Sequence, residues 1–252
     1  MTHLFGSTRN IVTQRYALLT PPGFVTAPLP GWKEAACVVL ISPAMGAQFS
    51  QMFVTLTRRG SGTGNTAGDE LFAMVLKGDC KVSINKRSHR LAEGGYVFIP
   101  PECRFDFGQA SEGTRLLLFQ KRFVPLPGVP KPGVVVGQAA DRPGMPFMGD
   151  PDAQLQTLLP DAFDYDLAIN IFTFQPGTTL PFVETHIMEH GLLMLAGQGI
   201  YRLDSDWHPV QAGDVIWMAP YCPQWFVAMG KTPASYIYYK DINRPPGVQK
   251  SV

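Results

Sequence analysis

Cysteine is scarce in this chain, and no sign of charge predominates. The four thiols, Cys37, Cys80, Cys103 and Cys222, lie far apart and form no CxxC pair. That spacing argues against a zinc knuckle and against a disulfide framework, and leaves buried, reduced cysteines. With 21 basic and 20 acidic residues the formal charge is +1, and Lys and Arg form no run. The footprint of a nucleic-acid binder is therefore missing, and no nucleic-acid partner is expected. No apolar run approaches membrane-spanning length. The start, MTHLFGSTRNIVTQRY, lacks a basic region followed by an apolar core and a cleavage site. A soluble, cytoplasmic protein with no membrane partner is the expectation. Long helical periods are also missing, apart from a short candidate helix over residues 152–159, where Asp152 would cap a turn of Ala, Gln and Leu.

What the chain does contain is punctuation. Gly (25) and Pro (23) recur every few residues among the 252, and between them lie short segments rich in Val, Ile, Phe and Tyr. Residues 37–42, 51–56, 71–76, 81–84, 96–99 and 115–121 all read as strands, so the fold class is all-β. An apolar content of 45% is enough for two ordinary cores.

Sliding the chain against itself exposes a twofold repeat. An offset of 119 residues places Glu70 on Glu189, His89 on His208, Gly94 on Gly213, Cys103 on Cys222 and Phe107 on Phe226, and runs without a gap to Lys121 and Lys240. Both halves read as strand, Gly turn, strand, Gly-rich turn, strand ending at Pro, strand. Between them, Val124 to Gly133 carries four prolines in ten residues and runs extended. Two tandem barrels are expected, divided as residues 1–145 and 146–252.

The halves differ at one group of positions. Glu184-Thr-His186-Ile-Met-Glu-His190, with Gln224 further on, gathers two imidazoles, a carboxylate and an amide carbonyl. Strand alternation points Glu184 and His186 the same way, and His190 reaches the same space across a tight turn. The matching residues of the first half are Asn65, Ala67, Leu71 and Phe105, so only the second half can bind a metal this way. Such an N2O2 set suits Mn²⁺, with Fe²⁺ as the other candidate. Residues shared by both halves, namely His89 and His208, Glu70 and Glu189, Cys103 and Cys222, read as structural. Tyr201 and Tyr236 replace Val82 and Leu117 and so add hydroxyls at apolar positions, whereas Lys240 falls on Lys121 and leaves a shared structural role open.

These residues resemble the cupins, whose motifs normally read G-x5-HxH-x3,4-E-x6-G and G-x5-PxG-x2-H. The second half gives Gly177, Glu184, His186, His190 and Gly197, then Gly213, Pro220 and Gln224. Glu stands for the first His, His for the usual Glu, and Gln for the last His. That permutation, in a bicupin whose first double-stranded β-helix (jelly-roll) barrel lacks ligands, resembles the (S)-ureidoglycine aminohydrolase family of purine and allantoin catabolism, formerly glyoxylate-induced proteins. The resemblance extends from RYALLTPPGFV through EGGYVFIPP and ETHIMEHG to YIYYKDINR. It implies Mn²⁺ on Glu184, His186, His190 and Gln224, and substrate contacts from Tyr201, Tyr236 and Lys240, each also a candidate catalytic proton carrier. It further implies a hydrolase that releases ammonia from a small-molecule substrate, and a homo-oligomer. The competing readings are an Fe²⁺-dependent cupin dioxygenase and a non-catalytic bicupin that binds a small acid.

Overall fold

The computed structural model describes residues 8–244. An N-terminal arm carries β1 (Ile11–Val12) and β2 (Tyr16–Leu19). The first run of strands is β3 (Trp32–Ile41), β4 (Phe49–Asn65), β5 (Asp69–Lys77), β6 (Asp79–Ile84), β7 (Arg87–Ala92), β8 (Gly95–Ile99), β9 (Arg104–Gly108), β10 (Thr114–Arg122) and β11 (Val135–Gln138). The second is β12 (Met145–Phe147), β13 (Asp150–Thr157), β14 (Leu167–Phe174), β15 (His190–Ala196), β16 (Gln198–Leu203), β17 (Asp206–Gln211), β18 (Val215–Met218), β19 (Gln224–Met229) and β20 (Ala234–Asp241). Strands with one wet face alternate, as in β6, where Cys80, Val82 and Ile84 are buried and the residues between them are not. β8 and β18 are buried along their whole length and are correspondingly apolar, GYVFI and VIWM.

The candidate helix over residues 152–159 is instead β13, which pairs with β12 on one side and β14 on the other. Ladder bonds to two neighbours outweigh a weak local helix preference.

The chain forms two compact units. One gathers the described residues up to Val25 with Met145–Leu155 and Asn170–Lys240, and the other Thr26–Gly144, Gln156–Ile169 and the described residues from Asp241 on. Three segments thus lie across a linear division at 145/146: the arm, residues 156–169 and the described residues from Asp241 on. The arm joins the second-half barrel because the apolar YALL of β2 finds a ladder there, with Tyr16 opposite Met218 and Leu19 opposite Val215. Residues 156–169 join the first-half unit, where the Leu158 carbonyl accepts the Tyr96 hydroxyl at 2.8 Å.

In the first-half unit an apolar cluster is built from Met52, Val54, Leu71, Ala73, Val75, Val82, Val97, Phe107, Leu116 and Leu118 among others. In the second-half unit the strand order β1-β2-β18-β15-β20-β14-β13-β12 makes one sheet and β17-β16-β19 another. Its core includes Phe172, Phe174, Leu192, Met194, Leu203 and Phe226, and also Tyr201, Tyr236 and Tyr238.

The repeat holds strand for strand from β5 to β9 against β15 to β19, and then slips. Against β5, β10 sets Leu118 opposite Ala73, Gln120 opposite Leu71 and Lys121 opposite Glu70. Against β15, β20 sets Tyr238 opposite Leu192 and Lys240 opposite His190. Since Leu192 and His190 correspond to Ala73 and Leu71, the counterparts of Tyr238 and Lys240 are Leu118 and Gln120. A one-residue slip turns every side chain to the other face. Lys240 therefore does not share the role of Lys121, contrary to the gapless alignment.

Gly197 gives a direct test of the turn that starts β16. It sits at φ +69°, and a Cβ there would lie 2.5 Å from the Pro233 carbonyl oxygen. Gly177, at φ +87°, has nothing within 4 Å of that position. Gly197→Ala is expected to destabilise by about 2–4 kcal/mol and Gly177→Ala by roughly 1–2 kcal/mol. Denaturant titration of both variants checks it, and equal losses would remove the steric argument.

Candidate metal and substrate site

Glu184 and Gln224 face each other in an isolated β-bridge, exchanging backbone hydrogen bonds of 2.8 and 2.9 Å. Residues paired in this way carry their side chains on one face of the sheet. Two residues beyond Glu184, the His186 carbonyl accepts the Tyr221 N–H at 2.7 Å. Tyr221 supplies that N–H from a left-handed conformation, φ +61°. The same turn exists in the first-half unit, where Glu102 at φ +65° donates to the Ala67 carbonyl at 2.7 Å. The scaffold is therefore common to both halves, and the ligand side chain is the addition. One brace is specific to the second half: Arg15 of the N-terminal arm donates to the Tyr221 carbonyl at 2.7 Å, beside Thr185 Oγ1 at 3.3 Å.

His190 opens β15 and is buried. Its Nδ1 lies 3.2 Å from the Tyr239 carbonyl oxygen. A carbonyl only accepts, so Nδ1 carries the proton and Nε2 keeps its lone pair. Burial, reinforced by neighbouring His186, pushes the His190 imidazole down to about 3, so it is neutral at physiological pH. Its Nε2 stands 3.2 Å from His186 Nε2, which is 3.0 Å from the Gln224 amide.

This contact set tests whether a cation fits. A single proton on His186 Nε2 cannot serve both neighbours, and without it two lone pairs face each other. Nitrogens bound at about 2.1 Å to one metal, at angles between square and tetrahedral, lie roughly 3.0–3.4 Å apart. The observed separation falls in that range, and an amide turned to present its oxygen supplies the third donor. Glu184 lines the same cavity, with its carboxyl raised by burial against the opposing effect of Lys240. Its carboxylate is not part of the close cluster: among the described residues no three His, Cys, Asp or Glu side chains form a metal-holding group. The fit rests on the imidazole pair and the amide, with the carboxylate on the same wall.

All seven residues singled out in the sequence, Glu184, His186, His190, Tyr201, Gln224, Tyr236 and Lys240, line one cavity of about 150 Å³. The Tyr201 hydroxyl lies 3.4 Å from the other polar atom of the Gln224 amide, and burial pushes the Tyr201 and Tyr236 hydroxyls up, so both stay neutral. Sequence reading missed Tyr238, which lines the cavity beside Phe147, Phe172, Leu180, Met188 and Met218. The signal was available, because Tyr236, Tyr238 and Lys240 share one strand face at alternate positions.

The residues read as structural lie elsewhere. His208 is hydrogen-bonded to the Tyr16 hydroxyl at 3.2 Å, and Tyr16 donates to Asp206 at 2.6 Å. Glu189 accepts the Trp217 indole N–H at 2.7 Å. The four cysteines are free and buried. No described helix is long and apolar enough to cross a membrane.

Comparison with known proteins gives a consistent set. A family model described as a cupin domain matches residues 170–239. The chain is 38% identical over 243 residues to the (S)-ureidoglycine aminohydrolase of Arabidopsis thaliana, covering 96% of this chain and 80% of that protein. It is 36% identical over 233 residues to the enzyme of the same name from Escherichia coli (strain K12), covering 91% and 89%. The crystal structure of protein Ylba from E. coli superposes with a TM-score of 0.85 at 33% identity, over 95% of this chain and 96% of that one.

Proposed function

The chain belongs to the (S)-ureidoglycine aminohydrolase family of bicupins and is an enzyme, and from that premise we propose that it releases ammonia from (S)-ureidoglycine to give (S)-ureidoglycolate. The observation that carries this reading is a cavity joining a metal-compatible imidazole pair to a lysine and a group of buried hydroxyls.

The substrate carries an amine, a ureido nitrogen and a carboxylate on one carbon. In the proposed reaction the C–N bond to the amine breaks, water supplies the hydroxyl, and the amine leaves as ammonia with the ureido group intact. Glu184, His186, His190 and Gln224 would hold Mn²⁺, which supplies Lewis acidity and a template when bound. Lys240, directly opposite His190 in the ladder, neutralises the substrate carboxylate. Tyr201 and Tyr236 position the amine and ureido N–H groups through their hydroxyl oxygens, fixing the reacting carbon. The departing amine needs a proton, and Tyr201, Tyr236 and Lys240 are the groups placed to move one.

The test is ammonia release from freshly generated ureidoglycine by metal-stripped protein, with and without Mn²⁺, while following the enantiomer formed. Mn²⁺-dependent release with S product supports the reading. Oxygen uptake, or ligand binding without turnover, would replace it with a dioxygenase or a binding protein. Lys240→Ala is expected to keep its metal and lose roughly 100-fold or more in kcat/KM, the loss expected on removing a charged partner of a bound carboxylate. Unchanged kinetics would refute the role of Lys240.

A further inference from the structure

Three side chains of β20 face the cavity in a row, Tyr236, Tyr238 and Lys240. The middle one has no task in the reaction outlined above. Tyr201 and Tyr236 are hydrogen-bonded to each other, and Tyr201 also reaches Gln224. Tyr238 differs: its oxygen accepts the Asn170 side-chain N–H at 3.2 Å, and among the described residues its own proton meets no acceptor. The ring lies edge-on to His190 with centroids 5.6 Å apart.

Asn170 is itself an expensive residue to place here. It is buried on β14, two residues before Phe172, and among the described residues its Oδ1 has no hydrogen-bond partner. A buried amide costs stability unless its hydrogen bonds do something an apolar side chain cannot. Here the amide fixes the Tyr238 oxygen as acceptor and so leaves the hydroxyl proton for the cavity. In the half without the ligand set, the register counterpart of Tyr238 is Leu118, packed in an apolar core.

We propose that Tyr238, oriented by Asn170, is a specificity-determining residue that donates a hydrogen bond to the ureido carbonyl of the substrate. The inference rests on the reaction proposed above. A free donor requires an acceptor, and besides the amine that leaves, the substrate offers two, its carboxylate and its ureido carbonyl. The carboxylate is matched by the ammonium of Lys240, two residues further along the strand and about 7 Å away. The ureido carbonyl is left for Tyr238. Recognition of this kind separates a ureido acid from a plain amino acid, because a ligand lacking the carbonyl leaves the donor unpaired.

The experiment compares wild type with Tyr238→Phe, using N-carbamoylglycine as a stable competitive inhibitor and propionate as a carboxylate-only control. Tyr238→Phe is expected to weaken inhibition by N-carbamoylglycine roughly tenfold. Propionate inhibition and bound metal should be unaffected, and KM for ureidoglycine should move far more than kcat. Asn170→Leu should give part of the same loss, and no further loss when combined with Tyr238→Phe. It also supplies an independent route should Tyr238→Phe fold poorly. If wild type releases ammonia and N-carbamoylglycine inhibits it and Tyr238→Phe equally, the role of Tyr238 is overturned while the reaction stands. If wild type neither releases ammonia nor binds N-carbamoylglycine, the reaction itself fails and this assignment with it.

Discussion

Replacement of His186 by alanine is expected to strip the protein of metal and to lower ammonia release by roughly three orders of magnitude or more. The size of the effect follows from where His186 stands. Its Nε2 is the one atom in contact with both other close donors, His190 Nε2 at 3.2 Å and the Gln224 amide at 3.0 Å. Its backbone is held by the Tyr221 turn, which Arg15 braces from the N-terminal arm. Removing the ring takes away a ligand and leaves the scaffold in place, so the protein should still fold. His208 provides the contrast, since it is bonded to Tyr16 and is absent from the cavity lining. His208→Gln should keep metal and activity. Metal content by elemental analysis after exhaustive dialysis, alongside ammonia release, reads both variants. A His186→Ala protein with full metal content and full turnover would sink the ligand assignment.

The contrast between the two histidines was legible in the sequence because the two halves could be compared position by position. His208 has His89 as its counterpart, whereas His186 faces Ala67. The same comparison misled at Lys240. Identical residues coincide at an offset of 119, but the chain from Phe226 to Tyr238 is one residue longer than its register counterpart from Phe107 to Leu118, and backbone pairing rather than residue identity decides which face a side chain takes. Tyr238 was hidden by the same slip, because a gapless alignment sets it on Phe119 and makes it look like one aromatic replacing another. Two further features depend on which strands pair. β2 completes the sheet of the second-half barrel although nearly 200 residues separate it from β18, and β13 is a strand because of its neighbours. Local pattern carries no record of either partner.

Lys121, once separated from Lys240, has a role of its own and gives the largest expected effect on stability. It is buried with Glu70 and Asp166 in the first-half unit, 3.8 Å from the Glu70 carboxyl and ion-paired with Asp166, which also accepts the Val124 N–H at 2.8 Å. Among the described residues neither Glu70 oxygen receives a hydrogen bond, and one oxygen of Asp166 is equally bare. Two ionised carboxylates cannot hydrogen-bond each other, but a proton on Glu70 makes it a donor to Asp166. Burial first, and the Asp166 charge second, raise the Glu70 carboxyl well above its ordinary range. The sign of the pH dependence follows. Because the folded value lies above the unfolded one, this group's stabilising contribution is complete below about 4.5 and is lost as pH rises through the folded value. Lys121→Met should cost about 3–5 kcal/mol, because it strands the Asp166 charge in the interior. Glu70→Gln keeps the hydrogen-bond donor without the proton, so it should match wild type in acid, exceed it at alkaline pH and show a flatter stability profile. Urea denaturation at several pH values measures both. A Lys121→Met variant within about 1 kcal/mol of wild type, or a Glu70→Gln variant with the wild-type pH slope, would show that this buried cluster does not hold its proton as described.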